Sequence, residues 1–222
     1  MKSASRRVRS TFARSALALV AIALVTSGVT LVARAKQSTA PFDLHGRRVA
    51  LDPGTTPDAS ARTRMHATED TGRRFRVPSV HLDVPLGALT MADRAITPPG
   101  FTSAYLVRNL GASPETPARG TVFVVMHSLR DGAVGPGNYL IDVDAGTARV
   151  AKGARIEVGP ATYAVTGTRA IGKAELPGAR SVWRDTPGRL VIITCLQRPG
   201  GGPSVDNIVI TAELVAAHTD LS

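Results

Sequence analysis

Cysteine is almost absent from this sequence: among 222 residues there is one, Cys195. A lone cysteine cannot close an internal bridge, so a small scaffold stapled by disulfides, which needs an even set, is excluded. Aromatic residues are equally sparse at 4%, too few to build base-stacking platforms for a nucleic acid. Acidic residues are missing from the first 40 positions, where Lys2, Arg6, Arg7, Arg9, Arg14, Arg34 and Lys36 stand. Most of the formal net charge of +10 therefore belongs to that segment. The remainder is mildly basic and requires no polyanionic partner. Close-spaced histidine pairs are lacking too, which leaves no ligand cluster for a metal. No helical period persists over an ordinary helix length, and no internal repeat is present.

What is there divides into four stretches. Residues 1–14 form a basic leader. Ser15 to Ala33 carries no charge and is about as long as a helix needs to cross a hydrocarbon core. The arginines before it place the N-terminus inside and the rest of the chain outside a membrane. A transmembrane anchor over 15–35 is the expectation, with a cleaved signal peptide as the alternative, because Ala33-Arg34-Ala35 loosely matches a cleavage site. Residues 36–74 are broken by Pro41, Pro53, Gly54 and Pro57 and read as a flexible stalk. Residues 75–222 read as the folded domain.

That domain is a succession of short β-rich runs between turn signals: 77–85, 104–109, 121–127, 138–143, 154–158, 161–171, 189–195 and 207–214. Eight such runs predict a mainly all-β domain, a small closed barrel or sandwich with short helices. Leu86 to Ala95 is the best helical candidate.

Two strand endings draw attention. The apolar run TVFVVM ends in His127 and Ser128, and RLVIIT ends in Cys195, followed by Leu196, Gln197 and Arg198. A core strand fixes a side chain at its end, while the loop beyond opens a site. A thiolate can attack an amide carbonyl, an imidazolium can protonate the departing amine, and a guanidinium with backbone N–H groups can hold the oxyanion. Cys195 as nucleophile, His127 as acid/base and Arg198 as the charged donor form the candidate catalytic set. Ser128, Thr194 and Asn207 are candidates for substrate binding and oxyanion support. His45, His66, His81 and His218 lie in weaker contexts.

On the segments VPSVHLDVPL (77–86), GTVFVVMHS (120–128), GRLVIITC (188–195) and DNIVITAEL (206–214), the chain resembles the sortases, most of all actinobacterial housekeeping-like or class E/F domains. The resemblance covers roughly residues 75–215. It implies an eight-stranded sortase barrel behind an N-terminal membrane anchor, with the catalytic domain outside the cell membrane. It also implies a cysteine transpeptidase that cleaves an LPxTG-like sorting motif of exported proteins. The product would pass to an amine of a cell-wall precursor or a pilin, with no cofactor. Two departures stand out. Met126 occupies the place of a usual glycine, and Asn207 the place where the family carries its arginine. The second keeps open a catalytically silent sortase-like binding or assembly module. An L,D-transpeptidase is a further alternative, but its nucleophile usually sits in a Ser-x-Gly-Cys context, and Cys195 follows Ile193-Thr194.

Overall fold

A computed structural model describes residues 41–49, 56–92 and 96–217. The expected anchor over 15–35 lies outside the described residues. Among the described residues no helix is long and apolar enough to cross a membrane.

Eight strands close into a barrel: β1 (Thr68–Val77), β2 (Leu82–Leu89), β3 (Ala104–Gly111), β4 (Val122–Val125), β7 (Arg155–Val158), β8 (Ala161–Gly172), β9 (Arg189–Leu196) and β10 (Asp206–Ala217). Around the barrel they run β1-β2-β3-β4-β9-β10-β8-β7, and β7 pairs back onto β1. A separate two-stranded sheet joins β5 (Ile141–Asp142) to β6 (Thr147–Ala148). Closure leaves the barrel itself without an open edge. The pairs β2–β3 and β4–β9 are parallel; the other barrel pairs are antiparallel.

Two layers of apolar side chains explain why the central strands read as unbroken hydrophobic runs rather than alternating ones. Val122 and Val124 of β4, Leu190 and Ile192 of β9, and Ile208 and Ile210 of β10 fill the barrel interior with Phe75 and Tyr163. Their neighbours Phe123, Val125, Val191, Ile193 and Val209 point the other way. There they pack with Leu89, Tyr105 and Val182 into a second cluster outside the barrel. Trp183 stacks over Phe123 at 5.9 Å, sealing part of that outer layer.

Four expectations are corrected. The described part of the expected stalk is packed: Asp43, Val49 and Met65 are buried, Ala59–Arg64 is a helix capped by Asp58, and β1 begins at Thr68. The expected helix from Leu86 is the end of β2 up to Leu89. Its helix-favouring leucines and alanines yield to burial on both sides, and Gly87 lets β1 and β3 close in. A Cβ there would stand 2.6 Å from the Thr68 carbonyl and 2.9 Å from the Tyr105 ring. The run 138–143 is no barrel strand; it gives a 3-10 turn at Pro136–Tyr139 and the short β5. The run 77–85 in turn spans the end of β1, a turn and the start of β2, so the count of eight survives with different members.

Candidate active site

His127 and Cys195 are brought together by strand register. β4 and β9 run parallel with Val125 opposite Ile193, and the Met126 N–H donates to the Ile193 carbonyl at 3.2 Å. Two residues on, at the same ends of both strands, stand His127 and Cys195. Alternation puts both on the outer face that Val125 and Ile193 already occupy. On the other side of β9, Asn207 of β10 pairs with Cys195, and Ile171 of β8 pairs with Asn207. The outer face thus carries the row His127, Cys195, Asn207, Ile171 across four strands. His127, Cys195 and Asn207 all line one cavity of about 810 Å³, walled on its apolar side by Ile96, Leu176 and Trp183.

The imidazole is fixed by two contacts. Its Nε2 lies 2.9 Å from the Pro98 carbonyl, which can only accept, so Nε2 carries hydrogen and Nδ1 is the basic nitrogen of the neutral ring. Phe101 stacks on it with 4.7 Å between centroids. The residue as a whole is buried, at 8% exposure. Burial disfavours the charged form and holds the His127 pKa below its ordinary 6.5; the Pro98 hydrogen bond pulls upward and the Lys173 charge pushes downward again. The resting imidazole is therefore neutral near pH 7.

The strand ends are tied to one another. Ser128 Oγ donates to the Cys195 carbonyl at 2.5 Å, and Gln197 Nε2 donates to both the carbonyl and the hydroxyl of Ser128 at 2.9 Å each. Beyond Ser128 the chain folds back as a clamped loop. Asn138 accepts from the Leu129 and Gly135 N–H groups and donates to the Leu129 carbonyl. Gly137 N–H donates to the His127 carbonyl at 2.8 Å. Asp43 holds the loop from outside by accepting from the Val134 N–H at 3.0 Å. Burial alone would raise the Asp43 pKa, but N–H groups of Val134, Arg47 and His45, with the Arg47 charge, hold it down at about 2.

The remaining candidates fall differently. Arg198 lines a neighbouring cavity with Arg130, Asp131, Val134 and Gly201, not the one that holds His127 and Cys195. The strand ends at Leu196, two residues before Arg198. Thr194 also lines that cavity, but alternation turns its hydroxyl the other way, buried against Gly137 with no hydrogen-bond partner. Ser128 spends its hydroxyl on the Cys195 carbonyl and Gln197, so it positions the nucleophile's backbone. Met126, in the place of the usual glycine, fills the barrel interior at 2% exposure. Sequence reasoning missed Pro98, Phe101, Lys173 and Gln197; of these Gln197 alone had a signal, being two residues past the nucleophile.

With this geometry in view, the chain is similar to the sortases. Sortase A from Listeria monocytogenes shares 21% identity, with 67% of this chain and 90% of that one covered and a TM-score of 0.45. Sortase C-1 from Actinomyces oris shares 18%, covering 78% and 92%, at a TM-score of 0.47. The Group B Streptococcus Pilus Island 1 sortase C2 shares 14%, covering 84% and 95%, at 0.43. No family model and no curated protein matches the sequence. Among the described residues no group of three or more histidine, cysteine, aspartate or glutamate side chains is placed to hold a metal.

Chemically, the site offers a thiol at a rigid strand end, a buried neutral base beside it, and an apolar wall. That combination suits addition of sulfur to a carbonyl, with the imidazole receiving the thiol proton and returning it to a leaving group.

Proposed function

We propose that this chain is a cysteine transpeptidase of the sortase kind, held at the outer face of a cell membrane by residues 15–35. The observation that supports it is the register that sets His127 and Cys195 side by side at the ends of two parallel core strands, facing one cavity. Cys195 Sγ adds to the carbonyl carbon of a sorting-motif peptide bond, of LPxTG type, on an exported protein. Its proton passes to His127 Nδ1, and the Pro98 carbonyl steadies the imidazolium through Nε2–H. The C–N bond breaks, the departing amine takes the proton from His127, and a thioester remains on Cys195. An amine of a cell-wall precursor or pilin then adds to the thioester, gives up its proton through His127, and expels the thiol. No bond in this sequence calls for a cofactor.

Mass spectrometry of the full chain in detergent, mixed with an LPxTG-type peptide, tests the reading. The expected result is an acyl adduct on Cys195, absent from Cys195→Ala. His127→Ala should be nearly as inactive, and the double variant little worse than either, because the two groups act as a unit. Cleavage of the peptide at the wild-type rate by Cys195→Ala would overturn the assignment.

A further inference from the structure

A sulfur nucleophile works as thiolate, and the oxyanion it creates is a second negative charge at the same place; both gain from a nearby cation. Three cationic side chains line the cavity, Arg48, Arg130 and Lys173. The Arg48 guanidinium lies over the Phe42 ring at 5.1 Å, and Arg130 sits 3.5 Å from Asp131. Lys173 differs in where the fold puts it. It follows the last residue of β8, and its N–H donates to the Val205 carbonyl at 2.8 Å, extending the β8–β10 ladder. Ile171 belongs to the row that contains Asn207 and Cys195, and it packs in the outer cluster. Lys173, two residues further, lies on that same face.

We propose that Lys173 is the positioning cation of this site: it places a positive charge on the cavity that His127 and Cys195 share, where negative charge develops on sulfur and then on the oxyanion. This rests on the transpeptidase reading only for its purpose; the field itself does not depend on any substrate. The charged groups that face the pair are Arg48 from the 41–49 segment, Arg130 and Asp131 from the loop after His127, and Lys173 from the end of β8. Of these, Lys173 is the one next to the end of the strand that carries Ile171, in the row with Asn207 and Cys195, and its charge also favours the neutral form of His127.

The test uses the full chain and two readouts that need no peptide: the pH profile of Cys195 alkylation by iodoacetamide, and the titration of His127 followed by NMR. In Lys173→Gln and Lys173→Met, the alkylation profile and the His127 midpoint should both move to higher pH, by about half a unit or more. Lys173→Arg should keep the wild-type profile, and so should Lys152→Gln, which removes an exposed lysine from a turn away from the site. Raising salt should move the wild-type profile in the same direction as the charge loss, because an exposed ammonium is screened. Superimposable profiles for wild type, Lys173→Gln and Lys173→Met would overturn the proposal. A shifted profile in a chain that never acylates on a peptide would leave Lys173 in place and overturn the transpeptidase reading instead.

Discussion

The Ser128 hydroxyl donates to the Cys195 carbonyl across 2.5 Å, joining the residue after the candidate base to the candidate nucleophile itself. The bond runs between the ends of two parallel strands, where the β4 ladder has already stopped at Val125. It holds the two strand ends at one separation, and Gln197 completes the tie by donating to Ser128.

Ser128→Ala should therefore loosen the site more than a surface serine would. The Cys195 carbonyl and the Gln197 amide each lose a partner in a half-buried setting. Leaving such groups unsatisfied costs about 1–3 kcal/mol. Thermal unfolding should show the loss of stability, and acylation should slow with the nucleophile and base both still present. An unchanged melting temperature would show that water replaces the hydroxyl without cost.

Gly137 should tolerate no side chain. A Cβ there would meet Thr194 Oγ1 at 2.0 Å, and the His127 carbonyl and Ser128 nitrogen at 2.9 Å. Gly137→Ala forces the clamped loop off the strand end, and overpacking of this kind costs about 1–3 kcal/mol. Pairing it with Thr194→Ala should restore part of the stability, since one of the three clashes is removed. The backbone contacts remain, so the recovery in chemical denaturation should be incomplete. Full recovery would mean that the loop backbone yields freely.

His127 should couple stability to pH. Its folded-state pKa lies below the ordinary 6.5, chiefly through burial. The unfolded chain then binds more protons than the folded one in the window between the two values. Its contribution to stability is complete above about pH 6.5 and is lost as pH falls through the folded value. Denaturation of wild type and His127→Gln across pH 7 to 5 should show a steeper decline in wild type. Parallel curves would show that the imidazole charges in the folded state without penalty.

The N-terminal limit of the folded unit should lie before Pro41, not near Arg74. A chain starting at Arg74 loses the first six residues of β1, the buried Met65 and the Asp43 clamp on Val134. Burial of the Met65 side chain alone is worth about 1.5–3 kcal/mol. That chain should unfold at a much lower temperature or without cooperativity, whereas one starting at Pro41 should melt as a single sharp transition. Equal melting of the two would return residues 41–73 to the role of a stalk.

How much of this was legible in the residues depends on the range over which each signal acts. Buried runs such as TVFVVM and RLVIIT identify core strands locally, because burial on both faces demands continuous apolar residues. Their terminal residues, His127 and Cys195, could be picked out for the same reason. The edges of the domain were less legible. Asp43 and Met65 are single anchors within polar sequence, and what they meet, the Val134 N–H for Asp43 and the outer apolar cluster for Met65, lies far along the chain. The helix-like composition after Leu86 was overruled by neighbours on both sides of β2.

Local pattern in the chain was enough for the all-β character, the lone cysteine and the strand ends on which chemistry could sit, since period and residue type act over a few neighbouring positions. Register and loop course only exist once the barrel has closed. They decided that Cys195 faces His127 and Asn207, that Thr194 faces away, that Pro98 and Phe101 cover the imidazole, and that Arg198 lines a different cavity from Lys173. A strand shifted by one residue would have exchanged every one of those faces, because side chains alternate with a period of two.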